Sequence, residues 1–359
     1  MSDEENHIFV IGPARSGTTV VARAINLSPD CFLLMEGNIF LRGGAHSFRE
    51  SFNQRKLAEG TMLHGKGSFL PGIVGEGGPE DVLSMLGKRY SRVGDKIALG
   101  PGMSSNVLLA EYMLRHHWSS TYIFCLRSPL ETFSSQMRMF PVSAASIVKG
   151  WVEALILMLM IYGNSERCYF IMHDTLSVDQ IAVLGERVGL RLSVEPNSIG
   201  VAYQATTSTA PLFFDGLDEA VKACCNAFNL IRESWSSATL RLRRSSGDFS
   251  LLEDAVKLLM PIIRSFEPEW SPLQSSLRFR AEGILDRLRE LSEAQELGAE
   301  EAKLIVSDLA SFASDRPETA YWTGLVGLAH QDFIGAEKAF TVALEAGYLP
   351  FWALTHRLQ

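Results

Sequence analysis

Residues 7–19, HIFVIGPARSGTT, decide the fold. His7 to Gly12 is a short apolar run of the kind a buried parallel strand needs. Gly12 to Gly17 bound a loop, and from Thr18 to Leu27 the apolar residues take helical spacing until Ser28-Pro29 ends it. Strand, glycine loop and helix in that order predict a ligand site at the carboxyl end of a strand. The loop amides and the positive end of the helix dipole can wrap an anion, and Thr18 and Thr19 add hydroxyl donors. A glycine turn that only packs a helix on a sheet has the same local pattern.

Working outward, the pattern recurs. Residues 32–35 (FLLM), 122–126 (YIFCL) and 169–172 (YFIM) are further short apolar runs. The first ends at Glu36-Gly37. The second ends at Arg127-Ser128-Pro129, where Ser128 as cap and Pro129 in the first turn start a helix through Met139. A helix near 178–188 comes after the third. Residues 107–117 read as an amphipathic helix, and 151–162 as a core helix, apolar everywhere but Glu153. Residues 42–80 are glycine-rich, polar and irregular, and read as loops and short helices over a site. Buried strands alternating with helices predict an α/β fold: a P-loop-type parallel sheet flanked by helices.

Beyond Arg241 the pattern changes. RLRRSSGDFS (241–250) is a polar, turn-rich linker, and the rest of the chain reads as helix, so the division expected is 1–245 and an all-α C-terminal extension, 246–359. With Pro317 as the first position of a repeat of about 34 residues, Gly324, Ala336, Phe340 and Ala343 fall where a tetratricopeptide repeat places small and aromatic residues. The segment resembles such a repeat, although Ala320 replaces the usual Trp. One repeat cannot bury its own face, so it must pack on the helices between 251 and 313. Its role is open between a helical cap and a surface for a protein partner or for self-association.

Composition narrows the function. The chain has 359 residues, 47% hydrophobic and 21% charged, with a net charge of -8. No basic stripe marks a nucleic-acid binder, so an anionic ligand must be held by a few local cations and by backbone dipoles. The acidic start, residues 1–6, does not read as a secretory signal, and the longest apolar run, 154–162, is too short to span a bilayer. Five cysteines (Cys31, Cys125, Cys168, Cys224, Cys225) without Cys-x-x-Cys spacing read as reduced core residues, and no metal-ligand cluster is visible. A soluble, cytoplasmic protein is the expectation.

In an open parallel sheet, ligands bind beyond the carboxyl ends of the strands. That rule gathers Arg15 after the first strand, Glu36 after the second and Arg127 after YIFCL. In a nucleoside-triphosphate loop a lysine directly follows the second glycine; here Thr18 does, and the cation is Arg15, three places earlier. Ser135, eight residues after Arg127, lies about two turns into the next helix, where a phosphate could take the Arg127 fork and the Ser135 hydroxyl together.

Together the two motifs resemble those of sulfotransferases that use 3'-phosphoadenosine 5'-phosphosulfate (PAPS). The 5'-phosphosulfate loop of that family reads G-x-x-[KR]-[ST]-G-T-[ST], which GPARSGTT fits. Its 3'-phosphate motif is an Arg closing a strand with a Ser eight residues later, which Arg127 and Ser135 fit. The resemblance covers about 7–190 and implies cofactor contacts from Arg15, Ser16, Gly17, Thr18, Thr19, Arg127 and Ser135. It implies in-line transfer of a sulfuryl group to an acceptor hydroxyl on a glycan, glycolipid, metabolite or peptide, leaving adenosine 3',5'-bisphosphate. Members with a glutamate base, among them tyrosylprotein and some bacterial sulfotransferases, carry it after the second strand, as LMEGNIF carries Glu36; His64 is the rival base. Lys96 in VGDKIALGPG is similar in place to a lysine that steadies the transferring sulfate, and a solvated strand-end lysine has the same signature. Between 203 and 216 no Lys or Arg is present, which leaves hydroxyls such as Thr207 or Ser208 for a late loop. Two other readings stay open: a small-molecule kinase or NTPase with a glycine loop, and an inactive cofactor-binding protein whose repeat recruits a partner.

Overall fold

The computed structural model describes residues 6–35, 79–101, 109, 112–114, 117, 119–140, 142–165, 167–190, 214, 216–236, 249–266, 268–269, 271–346 and 348. Five strands make one parallel sheet: β1 (His7–Pro13), β2 (Cys31–Met35), β3 (Arg92–Leu99), β4 (Thr121–Leu126) and β5 (Cys168–Met172), in the order β2-β3-β1-β4-β5. Strands β1, β4 and β5 are buried at every residue, because helices cover both faces of a parallel sheet. Strand β3 is the element the apolar runs do not announce. Gly94, Asp95 and Lys96 sit in its middle, yet it pairs with both β1 and β2 and so separates them.

The two faces differ in chemistry. Ile8, Val10, Leu33, Ile123, Cys125 and Ile171 form an aliphatic face, covered by Val21, Ala22 and Ile25 of α1 (Thr18–Asn26) and Leu184 of a later helix. Alternation along each strand sends the aromatic residues other than Tyr169 to the other face. There Phe9 stacks on Tyr122 at 5.7 Å between ring centroids, and Phe124 meets Phe170 at 5.0 Å. After α2 (Pro79–Gly87), α3 (Pro129–Met139) and α4 (Ala144–Asn164) pack on each other, and α4 also lies on β1 and β3. Helix α4 outlasts the apolar run seen in the sequence and is apolar and long enough, by composition, to cross a membrane; 72% of its most apolar stretch is buried within the protein. Helix α5 (Val178–Arg187) comes after β5, and α6 (Asp218–Ser236) and α7 (Ser250–Phe266) complete this unit by packing on α4 and on each other. Most of the helix expected over 107–117 lies outside the described residues.

The chain divides into two compact units, Met1–Met113 with Ser119–Pro272, and Leu273–Gln359 with Leu114–Trp118. The boundary expected at 245/246 precedes α7, and the packing of α7 on α4 and α6 carries the sheet unit on to Pro272. The second unit is helical: α8 (Pro272–Glu293), α9 (Glu300–Ala313), α10 (Pro317–Ala329) and α11 (Phe333–Glu345). Its core joins Leu285 and Leu288 of α8, Val306 and Leu309 of α9, Tyr321 and Trp322 of α10, and Phe340 of α11. Gly324 is small for a packing reason: a Cβ there would sit 2.6 Å from the Phe340 ring. Asp332 caps α11 by accepting from the Gly335 N–H at 3.0 Å.

Candidate functional site

Strand order places the site. From β1 the chain crosses to β2 on one side, and from β4 it crosses to β5 on the other. Since β1 and β4 are neighbours, a crevice opens between their carboxyl ends, the usual position for a ligand in such sheets.

The glycine loop rises from β1 at this crevice. Its base is fixed by the sheet. The Ala14 N–H donates to the Leu99 carbonyl at 2.7 Å, the Ser16 N–H closes a turn on the Pro13 carbonyl at 3.1 Å, and a Cβ at Gly12 would collide with the Cys125 carbonyl of β4. Gly17 has φ 95° and caps α1 with no side-chain bond. A side chain there would meet both a strained backbone and the His173 ring, 2.9 Å from the Cβ position. Helix α1 therefore begins with neither a capping side chain nor an acidic residue in its first turn, and its amide dipoles stay available to an anion. Ser16 points the same way. It is 1% exposed, and its Oγ has no hydrogen-bond partner among the described residues. A buried hydroxyl without a partner is costly, and an anion seated in the loop would relieve it. The loop fits a phosphate or sulfate group.

Helix α3 brings the second half. Ser128 is its N-cap residue and Pro129 its first, so Arg127 stands at the end of β4 as the sequence predicts. Arg127 and Ser135 have separate partners within the protein. Ser135 accepts from Arg15 Nε at 3.0 Å, while Arg127 Nε donates to Glu131 at 2.7 Å. The loop cation and the helix serine, 120 residues apart, thus meet directly. Glu131 is more than half exposed, and such a surface pair is weak enough to yield to a phosphate.

His173 is the site residue that sequence reasoning misses. It opens a short 3-10 turn (His173–Thr175) directly after β5, the same strand-end position that singles out Arg127. Its pKa is lowered, first by burial and then by the Arg127 charge, against the opposing pull of Glu131 and Asp174. Asp174 itself pairs with Arg232 of α6 at 3.1 Å.

Lys96 is not the solvated strand-end lysine. It is 2% exposed and lies mid-strand in register with Val10, hence on the aliphatic face one row below Gly12 and Cys125. Burial pushes the Cys125 thiol pKa up and the Lys96 charge opposes it. Glu36, His64, Thr207 and Ser208 lie outside the described residues; β2 ends at Met35, one residue before Glu36. Among the described residues no group of three or more His, Cys, Asp or Glu could hold a metal ion.

No protein-family profile matches the chain, and no curated protein matches it. Among solved structures it is similar to the sulfotransferase domain from the Synechococcus PCC 7002 olefin synthase, with 16% identity and a TM-score of 0.39 over 77% of this chain and 93% of that one. At that distance the functional reading rests on the geometry of the loop and α3.

Proposed function

We propose that the chain is a sulfotransferase that moves the sulfuryl group of PAPS to an acceptor hydroxyl. The observation that carries the reading is the Arg15–Ser135 hydrogen bond, because it unites an anion loop lacking the triphosphate lysine with the helix that Arg127 precedes. A ligand spanning the crevice then has an anion at each end, as adenosine 3',5'-bisphosphate and PAPS do.

The loop amides, Ser16, Gly17, Thr18 and Thr19 hold the 5'-phosphosulfate, and Arg127 with Ser135 holds the 3'-phosphate. Glu36 takes the proton of the acceptor hydroxyl, whose oxygen attacks sulfur in line. The bond from sulfur to the bridging oxygen breaks, and adenosine 3',5'-bisphosphate leaves. Arg15, the loop amides and Lys96 stabilise the charge that grows on the leaving phosphate. A positioned base typically contributes about 10²–10⁴-fold.

A thermal-shift comparison tests the reading. At about 100 times its Kd, adenosine 3',5'-bisphosphate adds about 2.7 kcal/mol, which raises the melting temperature of a unit this size by about 5–10 °C. A comparable rise with ATP·Mg and none with the bisphosphate would turn the assignment to a kinase or NTPase. Transfer of label from radiolabelled PAPS to product in a cell extract then identifies the acceptor.

A further inference from the structure

Gln136 reaches the glycine loop without touching the nucleotide in the proposed binding mode. It is the residue after Ser135 on α3 and is 1% exposed. Its Nε2 donates to the Ala14 carbonyl oxygen at 2.7 Å, across 122 residues of sequence. A carbonyl can only accept, so the amide nitrogen faces the loop; Oε1 has no partner among the described residues.

The loop needs such a hold. Arg15 has φ 74°, a left-handed conformation that costs a non-glycine residue energy and persists only where its surroundings enforce it. Two ties from α3 flank that strain. Arg15 itself is exposed, so its bond to Ser135 competes with water. The Gln136–Ala14 bond is shielded from solvent, so water does not compete for it.

We propose that Gln136 is a positioning residue that presets the glycine loop from α3. It fixes Ala14, and with it the direction of the next amides and of Arg15, before any ligand arrives. Helix α3 thereby serves both ends of the nucleotide: Ser135 at the 3'-phosphate, Gln136 through the loop at the 5' end. The identity of the ligand rests on the sulfotransferase reading; the hold on the loop does not.

The test uses Gln136→Leu in the full chain, which keeps most of the volume and removes the donor. Calorimetry with adenosine 3',5'-bisphosphate and with AMP, which lacks the 3'-phosphate, should show both weakened by the same factor of about ten, the scale of one buried hydrogen bond. Ser135→Ala removes the Arg15 tie as well as the proposed 3'-phosphate contact, so it should weaken the bisphosphate more than AMP, not both by one factor. In parallel, amide hydrogen exchange should speed up in residues 12–19 of Gln136→Leu while β4 and β5 keep their protection. Unchanged exchange in the loop, or a loss confined to the bisphosphate, overturns the proposal. Should wild type bind neither nucleotide, the sulfotransferase reading fails and the exchange comparison still decides the role of Gln136. If Gln136→Leu loses strand protection as well, Gln136→Met is measured and read the same way.

Discussion

The glycine loop at 12–17 and the hairpin of α10 and α11 both depend on a glycine packed too closely for a side chain. Gly12 lies against the Cys125 carbonyl of β4, and Gly324 against the Phe340 ring. The likeness ends there. The hairpin spends its close approach on an apolar core, and Asp332 caps its second helix. The loop leaves α1 without a side-chain cap, keeps Arg15 at positive φ and buries the Ser16 hydroxyl without a partner among the described residues. Packing that satisfies its own groups makes stability. Packing that leaves a buried hydroxyl unsatisfied and a backbone at positive φ carries a cost that the rest of the sheet unit must bear.

Substitutions on either side break this contrast. The largest effect is expected from Phe340→Ala, which empties the centre of the helical core and should cost about 3–5 kcal/mol in denaturant unfolding of the second unit. Nucleotide binding by the sheet unit should stay as in wild type. Gly12→Ala forces a methyl into the Cys125 carbonyl; at about 1–3 kcal/mol of overpacking it should weaken adenosine 3',5'-bisphosphate roughly 10–100-fold in calorimetry. Arg127→Ala sharpens the picture within the site. It should remove most of the preference for the bisphosphate over AMP, about tenfold or more, and leave AMP binding nearly unchanged. Asp332→Ala should cost only about 1 kcal/mol, a lost cap, read in the same unfolding experiment.

The smallest and most diagnostic effect is on pH. Burial and the Arg127 charge lower the pKa of His173 from its ordinary 6.5, so the folded protein resists protonating it. The unfolded chain then binds more protons below pH 6.5, and stability falls as the pH drops through the folded value. A bound phosphate beside Arg127 acts in the opposite sense. It raises the His173 pKa, so His173 contributes proton uptake to binding, beside the exchange of the ligand's own phosphates. Calorimetry in buffers of different ionisation enthalpy reads the net exchange, and His173→Gln should shift it toward proton release by the histidine's share.

Most of the sheet is legible in the sequence because buried parallel strands are continuous apolar runs; 7–12, 32–35, 122–126 and 169–172 all fall on strands. Strand β3 is hidden, since Gly94, Asp95 and Lys96 break that pattern, and with β3 the strand order is hidden too. Arg127 and the loop are legible because each sits where an apolar run stops. Their partners are not. Ser135 takes Arg15 and Arg127 takes Glu131, choices set by how α3 leans on the loop, which no local spacing records. The i,i+4 spacing of Arg127 and Glu131 is the one trace of either pairing in the sequence. His173 shares the strand-end signal of Arg127, but its closeness to Gly17 is a tertiary contact that no local spacing records. Lys96 reads as a strand-end group only while β3 has no boundaries.

A crystal structure with adenosine 3',5'-bisphosphate puts the matter most directly. The 5'-phosphate should lie on the amides of residues 14–19, and the 3'-phosphate should lie between Arg127 and Ser135, with Glu131 displaced from Arg127. A nucleotide bound away from the β1–β4 crevice, or with only one phosphate touching these residues, would contradict the account.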